Sequence, residues 1–346
     1  MTSELRLDRT SGRRVIVAPG RRARPGGELE VMRPAHPPLK LDPQCPFCPG
    51  SEARLPAVLA QVDSADPPGW RVRVVPNKYP AVAAPGASGE VEAARARPAG
   101  GLHEVIIESP RHDDDLAIMD DAQLEAVVGV YRERCWRLMR REGIQAVVLF
   151  RNHGPLSGAS LVHAHAQVLA LDVTPPLTQA LIGTGRARHA ADSRCPTCEE
   201  IAAELAARVR VVEETADYVV LCPFAAERPY ETWIAPKAHA ASFTGLEDAH
   251  LGQFAHLLGR TLRRLKHALG DPTYNFAMDG ADRAHLGSPF VHWRLRIAPK
   301  LAEYGGFELG SGMVINPSSP EADAASLRAA SPERGGRTDV QRGEAG

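Results

Sequence analysis

The sequence predicts an α+β fold with a largely antiparallel sheet, built from one unit used twice. Three observations lead there. Short β-branched segments surround only two long helical patterns, one in each half, at 120–141 and 246–269, with apolar residues at helical spacing. The strands neighbour one another as in hairpins, without the strand–helix alternation of a doubly wound sheet. The order of landmarks also recurs: a C-x-x-C pair, a strand followed by a proline and a histidine, the long helix, and a strand carrying a second histidine.

In chain order, 13–18 (Arg-Arg-Val-Ile-Val-Ala) reads as a short strand. An arginine-rich turn, Arg21-Arg-Ala-Arg24, is closed by Pro25. Residues 83–101 are rich in Ala, Gly and Pro and read as a loop. Strands follow at 103–108 and 146–150, on either side of the first helix. A Gly/Ser loop runs to Ser160, and 161–171 reads as one further strand. Pro175 and Pro176 break that pattern. In the second half, strands are expected at 218–221, 231–235, 274–278 and 291–298. The charged, glycine-rich tail at 331–346 is expected to be disordered. The units are therefore drawn at 1–175 and 190–330.

The net charge of −1 provides no global field for nucleic acid or an anionic membrane. No run of 18 apolar residues suggests a membrane span. The start, Met1-Thr-Ser-Glu-Leu-Arg6, lacks the apolar region of a secretory signal, so a cytoplasmic enzyme is expected. In a reducing compartment the pairs Cys45/Cys48 and Cys195/Cys198 point to metal or redox chemistry. Cys135 and Cys222 read as small buried hydrophobes.

Zinc favours four thiolate and imidazole ligands in a tetrahedron. The first half offers Cys45, Cys48, His112 and His163; the second offers Cys195, Cys198, His239 and His292. The histidines are 51 residues apart in the first set and 53 in the second. Two zinc sites are expected, closed and structural. Neither cysteine pair opens a helix within a recognisable βαβ unit, which speaks against a redox motif.

On a continuous strand over 161–171, His163, His165 and Gln167 would share one face, with Val162, Ala164, Ala166 and Val168 on the other. Tying His163 to a metal would hold His165 rigidly beside it, with its imidazole available to attack phosphorus. Gln167 would donate to a phosphoryl oxygen. The preceding loop suits an anion: Gly154 and Gly158 allow close backbone N–H groups, and Asn152 and Ser160 add side-chain donors. His153 reads as a surface residue. In the second half, His292-Trp-Arg294 replaces His163-Ala-His165. A guanidinium cannot be the nucleophile, so catalysis is expected in the first unit.

These residues resemble the galactose-1-phosphate uridylyltransferase family of the histidine-triad superfamily, including its branch containing ADP-glucose phosphorylase. The resemblance runs from about Leu5 to about Ala330. It rests on Arg21…Arg24-Pro, Cys45-Pro-Phe-Cys48, Val75-Pro-Asn77, Ser109-Pro-Arg-His112, Asn152…His163-Ala-His165-Ala-Gln167 and Gly306-Phe-Glu308. It implies two histidine-triad-like units, a homodimer, and ping-pong transfer of a nucleoside monophosphate through His165. It further implies phosphate contacts from Arg21, Arg24, Asn152, Ser160 and Gln167. Asn77 would lie near the nucleobase, and Phe307 and Glu308 at the sugar. The second cysteine–histidine set matches the second zinc site of the ADP-glucose phosphorylase branch. Two departures bear on the sugar nucleotide rather than the nucleophile. Ala164 and Ala166 stand where the common uridylyltransferase strand reads His-Pro-His-Gly-Gln, and Ala159 replaces a cysteine beside the phosphate-binding serine.

The expected activity is a UDP-hexose:hexose-1-phosphate uridylyltransferase acting on nucleotide sugars and hexose 1-phosphates. The alternatives are phosphorolysis of an ADP-hexose, hydrolysis of dinucleotides, and a non-catalytic zinc-built nucleotide-binding module.

Overall fold

In the computed structural model of the protein, the described residues are 3–23, 29, 31, 39–65, 68–83, 97–155 and 157–333. The chain opens with β1 (Glu4–Leu7), β2 (Arg14–Val17) and a 3-10 turn at Pro19–Ala23. It continues with β3 (Ala60–Ala65), β4 (Pro68–Pro76), β5 (Gly101–Ile107), α1 (Asp121–Met139), β6 (Ala146–His153) and β7 (His165–Leu171). Two helices follow, α2 (Pro176–Asp192) and α3 (Pro196–Ala207), then β8 (Val211–Glu214), β9 (Tyr218–Leu221) and β10 (Thr232–Pro236). The last elements are α4 (Asp248–Leu269), β11 (Tyr274–Asp279), β12 (Arg294–Pro299), α5 (Gly306–Ser311), β13 (Val314–Asn316) and α6 (Pro320–Ala329).

Ten strands form one sheet in the order β3-β4-β5-β7-β6-β11-β12-β10-β9-β8, antiparallel at every step. The order has the same pattern from either edge, and β6 and β11 meet at the centre. A mixed α+β architecture with a large antiparallel sheet is therefore what the chain adopts. A second sheet joins β1 and β2 to β13, with β13 parallel to β2. It sits on the C-terminal half: buried Arg6 donates to the Phe224 carbonyl at 2.9 Å and to Glu321 at 2.8 Å.

The two long helices cover one face of the large sheet. Asp120 caps α1 by accepting from the Gln123 N–H. Leu124, Val127, Val128, Tyr131, Cys135 and Leu138, at three- and four-residue spacing, turn inward. Phe254, Leu257, Leu258, Leu262 and Leu265 do the same on α4, which ends at Gly270 in the left-handed region. Gly259 lets the helices approach; a Cβ there would lie 2.6 Å from Leu124 Cδ1. Cys135 and Cys222 are buried in this core, as expected.

The structure corrects several local expectations. Pro176 does not merely end a pattern; it occupies the first turn of α2, where its missing N–H costs nothing. Cys195 N-caps α3, so the second cysteine pair does open a helix, though the strands after it are antiparallel and form no βαβ unit. The strand expected over 161–171 begins only at His165. Likewise β12 begins at Arg294, leaving His292 before it. Strands β1, β3, β4, β8 and β13 and helices α3, α5 and α6 were not foreseen. The expectations for Arg24 and 334–346, and most of those for 83–101, fall outside the described residues.

Candidate active site

Outward from the helices, Val75, Val105 and Ile107 pack with Cys45, Phe47 and Cys48 on the opposite face of the sheet. There Cys45, Cys48, His112 and His163 place one ligand atom each within 4.8 Å of the others, all four residues buried. Cys45 Sγ to His163 Nδ1 is 3.6 Å, Cys48 Sγ to His112 Nδ1 is 3.4 Å, and Cys48 Sγ to His163 Nδ1 is 3.6 Å. A tetrahedral ion with bonds of about 2.3 Å to sulfur and about 2.0 Å to nitrogen has sulfur–nitrogen edges of about 3.5 Å. The donor set therefore fits zinc. His163 donates Nε2–H to the Ser109 carbonyl at 2.7 Å, leaving the Nδ1 lone pair for the ion. Burial pushes His163 down to about 4, so the ring is neutral, as a ligand must be.

Cys195, Cys198, His239 and His292 repeat this geometry. Cys198 Sγ is 3.3 Å from Nδ1 of both histidines. His292 donates Nε2–H to the Pro236 carbonyl at 3.0 Å, three residues before His239, as Ser109 lies three before His112. Ring pairs match as well: His112/His163 at 5.3 Å and 90°, His239/His292 at 5.4 Å and 86°. This second set is less enclosed, with Cys198 half-buried and His239 exposed.

His163 does not reach its place through strand alternation, because it lies before β7. Its carbonyl accepts the Nδ1–H of His165 at 2.8 Å. That bond leaves His165 Nε2 as the nitrogen with a lone pair, without a hydrogen-bond partner among the described residues. Burial holds the His165 ring below its ordinary proton affinity, so it is neutral and nucleophilic near pH 7. Phe47, given no role of its own within the Cys45-Pro-Phe-Cys48 motif, meets the His165 ring edge-on at 5.4 Å and fixes its tilt. The alternation expected for 164–168 does hold: Ala164, Ala166 and Val168 enter the helix-side core. Val162 does not; it is exposed.

Gln167 follows His165 on the same face of β7, with its Oε1 accepting from Asn77 Nδ2 at 3.2 Å and from His103 at 2.8 Å. Asn152 stands on β6 opposite Asn275 of β11. Asn275 Nδ2 donates to Asn152 Oδ1 at 2.7 Å and to the Ser157 carbonyl at 2.8 Å, so it orients the amide and ties down the loop. Gly154 has φ +81° and lies against Thr273, where a Cβ would sit 2.7 Å from Oγ1. A Cβ on Gly158 would meet Asn152 Nδ2 at 3.3 Å, which places this turn beside Asn152; Ser160 is exposed.

His153 is not a free surface residue. It stacks on Tyr274 at 4.7 Å and lies between Asp115 and Asp271, at 3.7 and 3.6 Å. Beneath it a buried network joins Arg151 to Glu108 and Asp115, and Tyr131 to Glu108. A cavity of about 550 Å³ opens beside the loop, lined among others by His112, Asp115, Arg151, His153 and Ser160.

The structure brings together the first cysteine–histidine set, His165, Gln167, Asn77, Asn152 and Gly158. Arg21, Phe307 and Glu308 lie on segments next to the β1-β2-β13 sheet instead. Arg21 lies in the turn after β2, and Phe307 and Glu308 lie in α5 beside β13. No hydrogen bond or ion pair among the described residues joins that group to His165. His103, Asn275 and Phe47 carried no signal as single residues; each acts through a partner that only the fold supplies.

A buried cysteine–histidine set, a neutral histidine with one free nitrogen and a donor-lined loop, mounted on an antiparallel α+β sheet, define a nucleotidyl-transfer class of enzyme. Residues 1–175 match the family described as galactose-1-phosphate uridyl transferase, N-terminal domain. ADP-glucose phosphorylase of Arabidopsis thaliana is 33% identical over 331 residues, covering 94% of this chain and 92% of that protein. Galactose-1-phosphate uridylyltransferase of Thermotoga maritima is 29% identical over 241 residues, covering 66% of this chain and 74% of that one. The crystal structure of the Arabidopsis ADP-glucose phosphorylase with bound ADP-glucose superposes with a TM-score of 0.81, at 32% identity over 96% of this chain and 99% of that one. A solved uridylyltransferase gives 0.73, at 26% identity over 95% and 98%. The chain belongs to the galactose-1-phosphate uridylyltransferase family, and it is an enzyme of the nucleotidyltransferase and phosphorylase kind found there.

Proposed function

We propose that the chain moves a nucleoside monophosphate from a nucleotide sugar to a phosphate-bearing acceptor through His165. Nε2 attacks the α-phosphorus; the bond from that phosphorus to the bridging oxygen breaks, and hexose 1-phosphate leaves with the electron pair. An acceptor oxygen then attacks the same phosphorus and releases the histidine. Gln167 Nε2, the Asn152 amide, Ser160 and the backbone at Gly158 stabilise the oxygens as charge develops. The observation that carries this reading is the His165 Nδ1–H bond to the His163 carbonyl, which leaves Nε2 as the available nucleophile.

Zinc in both cysteine–histidine sets is part of the reading. An ion held by four protein ligands has no open coordination position, so it supplies rigidity. The halves are read as two histidine-triad-like units, 1–175 and 190–330, acting in the cytoplasm. We also assign a homodimer: with Arg21, Phe307 and Glu308 on segments next to the β1-β2-β13 sheet rather than on the large sheet that carries His165, and Phe307 and Leu309 exposed, a second copy is the means of completing the site.

Between the two substrate classes, adenylyl transfer from an ADP-hexose to phosphate is favoured by the higher identity and fuller coverage of the Arabidopsis phosphorylase. Uridylyl transfer between hexose 1-phosphates is the second reading, supported by the family match over 1–175. Intact mass spectrometry after mixing with ADP-glucose or UDP-glucose decides between them. An AMP adduct on the wild-type chain, absent from His165→Ala, is expected. A UMP adduct alone would transfer the assignment to the second reading. No adduct with either, or one that survives His165→Ala, refutes the covalent mechanism.

A further inference from the structure

We propose that His103 is a positioning residue for nucleotidyl transfer, holding the Gln167 side-chain oxygen so that the Gln167 amide nitrogen is the atom presented beside His165. This rests on the reading of Gln167 as a donor to the transferred phosphoryl group.

The ring's tautomer follows from its two contacts. The Ala81 backbone N–H donates to His103 Nδ1 at 3.1 Å. A nitrogen that receives an N–H must hold a lone pair, so the ring proton is on Nε2. That Nε2–H points at Gln167 Oε1, 2.8 Å away. Burial lowers the proton affinity of His103 and so favours this neutral ring.

Asn77 reinforces the arrangement. Its Oδ1 accepts from the Tyr79 N–H at 2.9 Å, so its Nδ2 must be the end that donates to Gln167 Oε1 at 3.2 Å. The 3.3 Å between Asn77 Nδ2 and His103 Nε2 is thus two donors converging on one oxygen, not a hydrogen bond. The Asn77 N–H bonds the His103 carbonyl at 2.8 Å and holds the two segments together. Turning the Gln167 amide over would set its NH₂ against both donors. A phosphoryl oxygen only accepts, so an inverted Gln167 would oppose it with a lone pair. The 77–81 loop therefore controls, through His103, which end of Gln167 faces the nucleotide.

The test is a double-mutant cycle on the full-length enzyme, measuring nucleotidyl transfer with ADP-glucose and UDP-glucose. His103→Ala should lower kcat by about tenfold, the loss of one hydrogen bond's worth of orientation, with little change in KM. His103→Gln, which keeps a donor, should recover most of it. Once Gln167 is alanine, removing His103 should cost nothing more, because nothing is left to orient. Melting temperatures identify a variant that has merely unfolded. If Gln167→Ala is slowed but His103→Ala is not, or if the two losses multiply, the His103 proposal fails alone. If Gln167→Ala is as fast as wild type, the reading of Gln167 fails and takes this one with it. Long-range ¹H–¹⁵N spectra of histidine-labelled protein, assigned with His103→Gln, read the tautomer without turnover. The Nε2–H form is expected, and Nδ1–H overturns the proposal.

Discussion

Two imidazoles two residues apart have opposite nitrogens free. His163 commits Nε2 to the Ser109 carbonyl and offers Nδ1 to the metal set, whereas His165 commits Nδ1 to the His163 carbonyl and offers Nε2. One backbone carbonyl per ring is enough, because a neutral imidazole has a single proton to place. The same logic governs the amides. Asn275 donates to Asn152 Oδ1 and also holds Ser157, so Asn275→Ala frees both the amide and the loop. We expect it to lower kcat/KM by roughly tenfold, about one hydrogen bond's orientation, with a melting temperature near wild type. Unchanged kinetics would show that Asn152 needs no such support.

At the scale of elements, α6 fastens the C-terminal end to the second half. Its Asp323 is 2% exposed and accepts from the Tyr230 N–H at 2.9 Å and the Ser318 hydroxyl at 2.5 Å. Burial outweighs these bonds and pushes the carboxyl up to about 6. A carboxyl whose folded value is raised disfavours the fold as it ionises, so stability is lost as pH rises from the ordinary value through about 6. Asp323→Asn removes that dependence. Its stability relative to wild type should improve from about pH 5 to about pH 7.5, by on the order of 1 kcal/mol. Urea unfolding of both proteins at the two values checks this, and a variant that gains nothing on wild type between them contradicts it.

Across the whole molecule the two halves have the same strand order but unequal exposure. Both cysteine–histidine sets have tetrahedral spacing, yet the first is wholly buried while Cys198 and His239 are accessible. A chelator must reach the ion or wait for the fold to open. On the proposed reading of zinc in both sets, its release to a colorimetric chelator should occur in two phases, the fast one belonging to the second half and missing in Cys198→Ser. One phase only, or a fast phase that survives the substitution, would contradict this ordering. In the second half Arg294, which follows His292 as His165 follows His163, is stacked 3.6 Å from the Trp233 ring and donates to Thr10 at 2.9 Å. The β1–β2 turn thus supplies a partner to Arg294.

The sequence by itself determined the mixed α+β class, both long helices, the repeated order of landmarks and the membership of the two cysteine–histidine clusters. Helical periodicity, cysteine spacing and histidine–proline neighbours are local and survive without knowledge of contacts. It misread the start of β7 and the role of Pro176, because a strand boundary depends on pairing, and a proline can open a helix as readily as end a strand. Only the tertiary structure decided which imidazole nitrogen is free, that His103 and Asn275 stand behind Gln167 and Asn152, and that Arg21 and Glu308 lie with the other half. The Asn275–Asn152 contact alone joins residues 123 positions apart. Hydrogen-bond geometry set across a sheet leaves no periodic trace along a chain.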